Sequence, residues 1–232
     1  MSLSPDVAGI IGLYLGRYEL LPWVDISKLS WRNLSANKNA IDLLNANPDL
    51  INWEWLSENP EAIDLIVTTP YQVYWRDLSK NPGAISILTD NIDHIHWDML
   101  SANPAAMPLL LANPDKIDWF WLSCNPSAID LLSANSDEID WMHLSTNTAA
   151  MPLLLANPDK IEWESLSVNP SAMPLLLANP ERINWPRFSM NPAAINLLRD
   201  NIDKIDWERL SLNPAIFEPR ADPLVVAMLK EI

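Results

Sequence analysis

Tryptophan recurs every 22 residues along most of this chain, and this spacing constrains the fold more than any other feature of the sequence. The periodic residues are Trp31, Trp53, Trp75, Trp97, Trp119, Trp141, Trp163, Trp185 and Trp207. They lie in a common pattern, I-x-W-x-x-L-S-x-N-P-x-A-[I/M]-x-L-L-x-x-N-P-[D/E], which runs from about Leu29 to Pro214. A unit of this length cannot bury its own apolar face, so neighbouring units must stack. We therefore expect an array of nine repeats.

Each repeat is predicted to contain two short helical segments. In the second repeat, the apolar residues of 62–66 follow the i, i+1, i+3, i+4 spacing of one helical face, and the first and last residues of 53–56 also share a face. Asn59-Pro60 precedes the first of these segments and Asn47-Pro48 the second. Asn is a favoured N-cap and Pro a favoured first helical residue, so both dipeptides are interpreted as helix starts.

Three repeats share the stretch AMPLLLANP, which places a proline inside the predicted helix. Pro108, Pro152 and Pro174 occupy a row that elsewhere holds Asp, Ser or Asn, all residues that favour the beginning of a helix. The preceding Asn-Pro-x-Ala is therefore predicted to be a first turn, of 3₁₀ type, with the continuous helix beginning near the proline. The same repeats carry an extra leucine, and we predict that they share one local packing solution; these leucines are Leu111, Leu155 and Leu177.

The predicted fold is an all-α solenoid of nine tandem 22-residue repeats. A leucine-rich repeat has a similar period but needs apolar strand positions; the corresponding row here is mostly polar and includes Pro186. Residues 1–28 are predicted to be an N-terminal cap, 29–214 the repeat array and 215–232 a C-terminal capping helix that begins at Asp222-Pro223. Together they form one continuous domain.

Two polar rows do not vary along the array. Every repeat has a Ser four residues after its Trp and an Asn six residues after it, from Ser35 to Ser211 and from Asn37 to Asn213. A catalytic Ser is needed only once, so we interpret both rows as helix caps and as partners of polar groups in neighbouring repeats. Two acidic rows follow predicted helix starts and are interpreted in the same way.

No residue pattern predicts catalysis, a cofactor or a metal. His94 and His96 are two apart, which places them on different faces of a helix, and His143 is distant in sequence. The only cysteine, Cys124, lies in a variable row predicted to be exposed, with no His positioned beside it. The expectation is a non-enzymatic protein.

The charge and the termini indicate the cellular setting. The net charge of −15 argues against direct binding of nucleic acid, which depends on clustered Lys and Arg. The apolar run from Val7 to Leu15 is too short to span a bilayer, which takes about 20 residues. The expected protein is soluble and intracellular, with no membrane association.

The consensus NPxAIxLLxxNPDKIxWxxLSxN resembles the short Trp- and Asn-Pro-containing repeat arrays that giant DNA viruses of protists encode in many copies. The resemblance covers Leu29 to Pro214. It implies a viral origin and a location in the host cytoplasm or the virion, and it carries no catalytic residues. Thr68–Trp75 and Asn147–Met151 depart from the consensus, and we expect them to be softer points in the stack.

Three functions are consistent with such an array. The leading prediction is a scaffold for protein–protein interaction, because repeat frames commonly present extended binding surfaces. One alternative is a structural component of the virion without a dedicated partner site. The other is an acidic DNA mimic or a binder of basic proteins, since regularly spaced carboxylates have fields that partly add.

The predicted protein-binding face lies in the middle of the array. If Trp and Leu of W-x-x-L point into the core, the two residues between them point outward or across the edge between repeats. Large apolar side chains gather at these positions and are of types enriched in interfaces. The alternative is that they pad the groove between helices. The candidates are Trp55, Met99, Phe120, Trp121, Met142 and His143.

Overall fold

The computed structural model describes residues 18–69 and 73–220, and it shows an all-α repeat solenoid. One helix of each repeat, the tryptophan helix, begins at the periodic Trp. Over the described residues these helices are Trp31–Ser35, Trp53–Leu56, Trp75–Lys80, Trp97–Ser101, Trp119–Leu122, Trp141–Thr146, Trp163–Leu166, Trp185–Phe188 and Trp207–Leu210. In repeats one to eight a second helix, the leucine helix, follows it; in repeat nine a strand over Phe217–Pro219 takes its place. The leucine helices are Ile41–Asn45, Ile63–Thr68, Ile85–Asp90, Met107–Ala112, Ile129–Ala134, Met151–Ala156, Met173–Ala178 and Ile195–Arg199.

A short turn precedes each leucine helix and explains the internal proline. In most repeats Asn-Pro-x-Ala forms a 3₁₀ turn, such as Pro60–Ala62, directly before the helix. The helix with Pro108 begins at Met107, so the proline is the second helical residue. Its missing N–H would have no intrahelical partner at that position. The prediction of a 3₁₀ first turn is confirmed at Pro170–Ala172, whereas the equivalent residues 104–105 and 148–149 form turns that are not 3₁₀ helices. The turns of this kind are Lys38–Ala40, Pro60–Ala62, Pro82–Ala84, Pro126–Ala128, Pro170–Ala172, Pro192–Ala194 and Pro214–Ile216.

The second Asn-Pro does not start the tryptophan helix. It opens a separate 3₁₀ turn, such as Pro48–Leu50, and the helix begins after an extended residue with its own cap, Asn52. Asn47 makes no capping bond to the turn that follows it; its side-chain Nδ2 donates instead to the carbonyl of Leu43 at 2.9 Å. The prediction for Asn47 was wrong because its side chain satisfies the end of the preceding helix. The turns of this kind are Ile26–Lys28, Pro48–Leu50, Ile92–His94, Pro114–Lys116, Ser136–Glu138, Pro158–Lys160, Pro180–Arg182 and Ile202–Lys204.

The core follows the Leu and Ala rows more closely than the Trp row. Leu122, Ala128 and Leu132 of one repeat are fully buried, as are their equivalents around the array. The tryptophans pack against this core but stay partly exposed. The prediction that tryptophan lines the core is therefore only partly right, because each indole contacts the core while part of its surface stays exposed.

The extra leucines of the AMPLLLANP repeats do not pack into the core. Leu111, Leu155 and Leu177 are 60%, 59% and 53% exposed, and the prolines of these helices are exposed as well. The three repeats share one local arrangement, as predicted, but in it these side chains lie on the outer surface of the array.

Each invariant Asn joins two repeats. The side-chain oxygen of Asn125 accepts a bond from the backbone N–H of Ser127, and its Nδ2 donates to the carbonyls of Ser101 and Asn103 in the previous repeat, both at 2.9 Å. The residue is fully buried, so three of its hydrogen-bonding positions are satisfied without water. The same three bonds recur in all nine repeats. This confirms the interpretation of the Asn row.

Eight of the nine invariant Ser residues are bridges as well; over the described residues Ser57 bonds only within its own helix. Ser123 Oγ donates to the carbonyl of Trp119 in its own helix at 2.8 Å and accepts the backbone N–H of Asp140 in the next repeat at 3.0 Å. Both of its polar functions are used inside the wall, which explains why a Ser is found in every repeat.

The array closes on itself into a ring. Asn37 of the first repeat donates to the carbonyls of Ser211 and Asn213 of the ninth, at 2.9 and 3.1 Å. The backbone N–H of Ser30 donates to Ser211 Oγ at 2.9 Å. The Asn bonds join every internal pair of repeats and the Ser bond joins all but one of them; here both are formed between residues more than 170 positions apart. A stack in which the last unit bonds the first as each unit bonds its neighbour is a closed ring of nine.

The residues on either side of the array clasp this seam. The β-strand β1 (Tyr18–Leu20) pairs antiparallel with β2 (Phe217–Pro219), with Leu20 opposite Phe217. The predicted caps thus contact each other within the described residues. The C-terminal region contains a strand over 217–219, ahead of the predicted helix; the predicted helix start at Asp222-Pro223 and the apolar run Val7–Leu15 lie outside the described residues.

Candidate binding wall of the ring

The tryptophan helices form the inner side of the ring. The closest contacts between equivalent elements of neighbouring repeats join tryptophan helices and join the turns that precede the leucine helices. In a closed ring the spacing between equivalents grows with distance from the axis, so these elements lie nearest to it. At 100° per residue, the first and fifth positions after Trp lie opposite the buried third, and the second lies at the edge of that face, 100° from the third. We call these positions, one set of three in each repeat, the inner wall.

A depression in the inner wall shows its concavity. Its volume is about 340 Å³, and it is lined by Met190 of repeat eight, Leu212 of repeat nine and Trp55 of repeat two, together with charged residues at the seam. Side chains from four successive repeats meet around one depression, which requires a surface curved towards them.

The predicted face has its centre at the junction of repeats five and six. The rings of Phe120 and His143 have centroids 3.9 Å apart, and Trp121 lies 5.2 Å from His143 with the two rings edge to face. Phe120 is 45% exposed and its neighbour Met142 is 44% exposed. We call Phe120, Trp121, Met142 and His143 the aromatic cluster. The structure brings the rings of three of the six predicted residues into contact here, and Met142 occupies the position equivalent to Phe120 in the next repeat.

A carboxylate orients the histidine of the cluster. Asp140 caps its helix by accepting the backbone N–H of His143 at 2.8 Å, and the same carboxylate oxygen lies 2.9 Å from His143 Nδ1. The cap therefore also fixes the imidazole, which holds the ring against Phe120. Sequence analysis identified both residues but not this connection.

The other two predicted residues do not belong to the cluster. Met99 is only 3% exposed, so its inclusion in a binding face was wrong; an unbranched Met fills an irregular gap in the wall. Trp55 lies on the wall near the seam, where the guanidinium of Arg32 is 4.9 Å from its ring centroid. With 40° per repeat in a ring of nine, the seam is opposite the cluster.

A regular pairing connects neighbouring wall positions. The first residue after one Trp contacts the second residue after the next, as in Arg32 with Trp55, Phe120 with His143, and Glu164 with Arg187 at 3.1 Å. Sequence analysis treated the two rows separately and missed this pairing. The sequence does contain one signal of this pairing: in the last pair, a residue of opposite charge follows 23 positions after the first.

The wall is nearly balanced in charge although the chain is strongly acidic. Its basic residues are Arg32, Arg76, Lys80, Arg187 and Arg209. Its acidic residues are Glu54, Glu58, Asp77, Asp98, Glu164 and Glu208. The wall therefore carries −1 of the total of −15. Repeats five and six are the only ones whose three wall positions are all uncharged, so the aromatic cluster occupies the one neutral sector.

Two residues of the inner wall have raised pKa values. Burial, followed by the charges of Glu58 and Glu54, raises the pKa of the Asp77 carboxyl. Burial also raises the pKa of the Cys124 thiol, whose sulfur lies 3.1 Å from the carbonyl of Trp121. Cys124 was predicted to be exposed, but it is partly buried and its thiol is held in the neutral form.

Basic side chains cover the tryptophans at the rim. Lys204 Nζ lies 4.4 Å from the ring centroid of Trp185, and Arg182 lies 4.6 Å from that of Trp163. Lys28 covers Trp207 at 4.7 Å across the seam. The basic residue is three positions before the next Trp, so the DK and ER dipeptides of the repeats provided a signal that sequence analysis did not use.

The remaining histidines are used separately. His94 stacks on Trp75 with centroids 4.5 Å apart, and the backbone N–H of His96 donates to Ser79. Over residues 18–69 and 73–220, no three His, Cys, Asp or Glu side chains are grouped to hold a metal. Nor does that part of the chain contain a helix of the length and apolarity needed to cross a bilayer.

Comparisons with known proteins supply no relative. No family model, no curated protein and no solved structure matches the chain.

Proposed function

We propose that this protein is a non-enzymatic binding ring that holds a polypeptide partner against its inner wall at repeats five and six. The observation that carries the proposal is the aromatic cluster: it leaves Phe120 and Met142 about half exposed in the one sector of the wall without charge. Exposed aromatic and Met side chains that are grouped and rigidly held are typical of interface centres.

The size of the ring supports a polypeptide as the bound species. Nine helices packed about 8–10 Å apart have their axes on a circle of roughly 12–15 Å radius. Subtracting a helix radius of about 5–6 Å leaves an opening of about 15 Å across. A single helix, about 10–12 Å in diameter, or an extended segment fits such an opening.

The test places a charge in the neutral sector. Phe120→Glu combined with Met142→Glu introduces the residue that the same row already contains at Glu164 and Glu208, so the fold is expected to tolerate it. Pro186→Glu, in the same row of repeat eight, is the matched control. Each immobilised ring is exposed to lysate of cells that contain the protein, and retained proteins are quantified by mass spectrometry.

We expect wild type and Pro186→Glu to retain the same partner and the double variant to lose it, with equal melting temperatures for all three. Identical retention by all three rings would contradict the assignment of the site. Failure of the wild-type ring to retain any protein would contradict the function itself.

The acidic alternative has weaker support in the charge distribution. Most of the net charge lies off the inner wall, which is the arrangement that a binder of basic proteins requires. However, Lys116 Nζ is 3.4 Å from Asp115, and Arg182 is 3.9 Å from Glu181, so rim carboxylates are locally compensated. Binding to basic proteins that is absent or independent of salt would remove this alternative.

The viral setting and the virion role rest on the sequence resemblance alone. Quantification of the protein in purified particles separates a virion component from a protein of the host cytoplasm. Abundance close to that of capsid proteins would favour the structural role.

A further inference from the structure

Repeats six and seven are the one adjacent pair that shares an apolar outer surface, a composition that repeat four carries alone. The exposed positions of the shared surface are Pro152, Leu155, Ala156 and Pro158 in repeat six, and Pro174, Leu177, Ala178 and Pro180 in repeat seven. We call these eight residues the outer patch. Both leucines are more than half exposed. Elsewhere the same rows hold polar residues such as Asp130, Ser133 and Arg199.

Core packing does not account for this composition. The buried Leu154 and Leu176 have equivalents in every other repeat, whereas the outward Leu155 and Leu177 are replaced by polar residues in most of them. A contiguous apolar patch on an otherwise polar surface usually marks a contact with another molecule.

The local charge identifies which kind of molecule can approach. Next to the patch, the charges of repeats six and seven come in compensating pairs, Asp159 with Lys160 and Glu181 with Arg182. The outer surface of repeats one and two instead carries Asp42 and Asp64 in the row of Pro152 and Pro174. Because exposed charges act over a Debye length of about 8 Å, two acidic rings repel each other at most surfaces but not here.

We propose that two copies of this ring associate through their outer patches. Repeats six and seven present the same residues side by side, so a two-fold axis between them places Leu155 of one ring against Leu177 of the other. Such an isologous contact is the commonest way in which identical subunits pair. A basic partner would instead prefer the acidic surfaces that the patch interrupts.

The chain offers an internal control for this contact. Leu111 belongs to the same row and is equally exposed, but repeat five, with Asp130 and Ser133, separates it from the patch. Leu155→Arg with Leu177→Arg places in the patch the residue that Arg199 contributes in repeat eight, so folding is preserved. Leu155→Ser with Leu177→Ser, which introduces the residue that repeat five has at Ser133, is a second, uncharged variant.

Sedimentation velocity on the full chain measures the assembly across a range of concentrations. We expect wild type and Leu111→Arg to reach twice the monomer mass of 26.2 kDa, and both double variants to remain monomeric with unchanged circular dichroism. A wild-type protein that stays monomeric at the highest concentration overturns the proposal. Double variants that still dimerise, or a Leu111→Arg variant that is monomeric, overturn it as well. Because the patch is on the opposite side from the inner wall, none of these results depends on partner capture by the aromatic cluster.

Discussion

The seam between repeats nine and one and the internal junction between repeats five and six use the same bonds but differ in what supports them. At the internal junction the chain itself connects the two units. At the seam no peptide bond does so, and two further side-chain bonds appear: Asn33 Nδ2 to the carbonyl of Glu208 at 2.8 Å and Asn39 Nδ2 to that of Pro214 at 2.9 Å. The β1–β2 pair adds a clasp. Ring closure thus uses the stacking chemistry of every junction and adds bonds where covalent continuity is missing.

The largest expected effect comes from reversing the polarity of a junction Asn. In Asn147→Asp the carboxylate can no longer donate to the carbonyls of Ser123 and Asn125, which lie 3.0 and 2.9 Å away, and it is buried against them. Leaving such groups unsatisfied costs about 1–3 kcal/mol each, so we expect the free energy of unfolding to fall by about 3 kcal/mol or more. Urea denaturation measures this loss, with the exposed Asn45→Asp as the control. A loss no larger than that of the control would contradict the role given to the Asn row.

The same substitution at the seam is expected to change the overall shape of the protein, whereas at an internal junction it is not. Asn37→Asp breaks the equivalent bonds to Ser211 and Asn213, but there no chain link holds the repeats together. We expect a similar loss of stability together with an increase in the radius of gyration, measured by small-angle X-ray scattering below the unfolding transition. Asn147→Asp should leave the radius unchanged. An equal radius for both variants would mean that the seam does not open.

The additional seam bonds predict a smaller effect. Asn33→Ala with Asn39→Ala removes two neutral hydrogen bonds and leaves the stacking bonds in place. Each is worth about 1 kcal/mol, so we expect the unfolding free energy to fall by about 2 kcal/mol. Ser165→Ala, in the row of Asn33 but at an internal junction, is the control. Equal losses in the two proteins would show that the seam has no special reinforcement.

Replacing the basic residues that lie over the tryptophans should lower the stability less than the changes above, and by the same amount at the seam and at an internal junction. Lys28→Gln removes the cation from Trp207 at the seam, and Lys204→Gln removes it from Trp185 at an internal junction. At exposed sites such a contact is worth about 0.5–1 kcal/mol. We expect both variants to melt slightly and equally earlier. A much larger effect for Lys28→Gln would show that closure depends on the rim as well as on the wall.

The smallest effect concerns Asp77 and depends on pH. Its pKa is raised above the ordinary value of 3.8, so the folded protein holds the proton more tightly than the unfolded chain does. The destabilisation is therefore complete above the folded pKa and fades as the pH falls through it. Asp77→Asn should be more stable than wild type at pH 7, with the difference shrinking as the pH falls through the folded pKa and lost below the ordinary value of 3.8. Asp98→Asn, which loses its partner Arg76 at 3.8 Å, should show no gain at pH 7. A stabilisation of Asp77→Asn that persists undiminished in acid would exclude this cause.

The repeated unit could be predicted from the sequence because its signals are local. Spacing of apolar residues, Asn-Pro at helix starts and the invariant Ser and Asn rows each depend on contacts within one unit or between neighbours. Closure could not be predicted in the same way. Closure depends on the small rotation between successive repeats. This rotation arises because neighbouring tryptophan helices, on the inner side, are closer together than neighbouring leucine helices, on the outer side. A clue does exist in repeat one: Asn33 and Asn39 are the only asparagines in their rows, and both bond across the seam.

The candidate site was predicted in part for the same reason. The W-x-x-L pattern correctly turned Phe120 and Met142 away from the core, since that depends on the helical period alone. It did not distinguish the buried Met99 from its exposed neighbours, because burial on a concave wall depends on which residue the next repeat supplies. The exposure of Leu155 and Leu177 was not predicted, because residue type alone does not give the angular position of a side chain on a helix of six residues.

The central claim is that the nine repeats form a closed ring, and a distance across the seam tests it most directly. Spin labels at Ser27→Cys and Asp203→Cys, in a Cys124→Ser background, mark one row in repeats one and nine. Labels at Asp159→Cys and Glu181→Cys mark the same row at an internal junction. A ring predicts the same short distance for both pairs in double electron–electron resonance. An open stack, with eight spacings of about 8–10 Å, would separate the first pair by roughly 70 Å and leave the second unchanged.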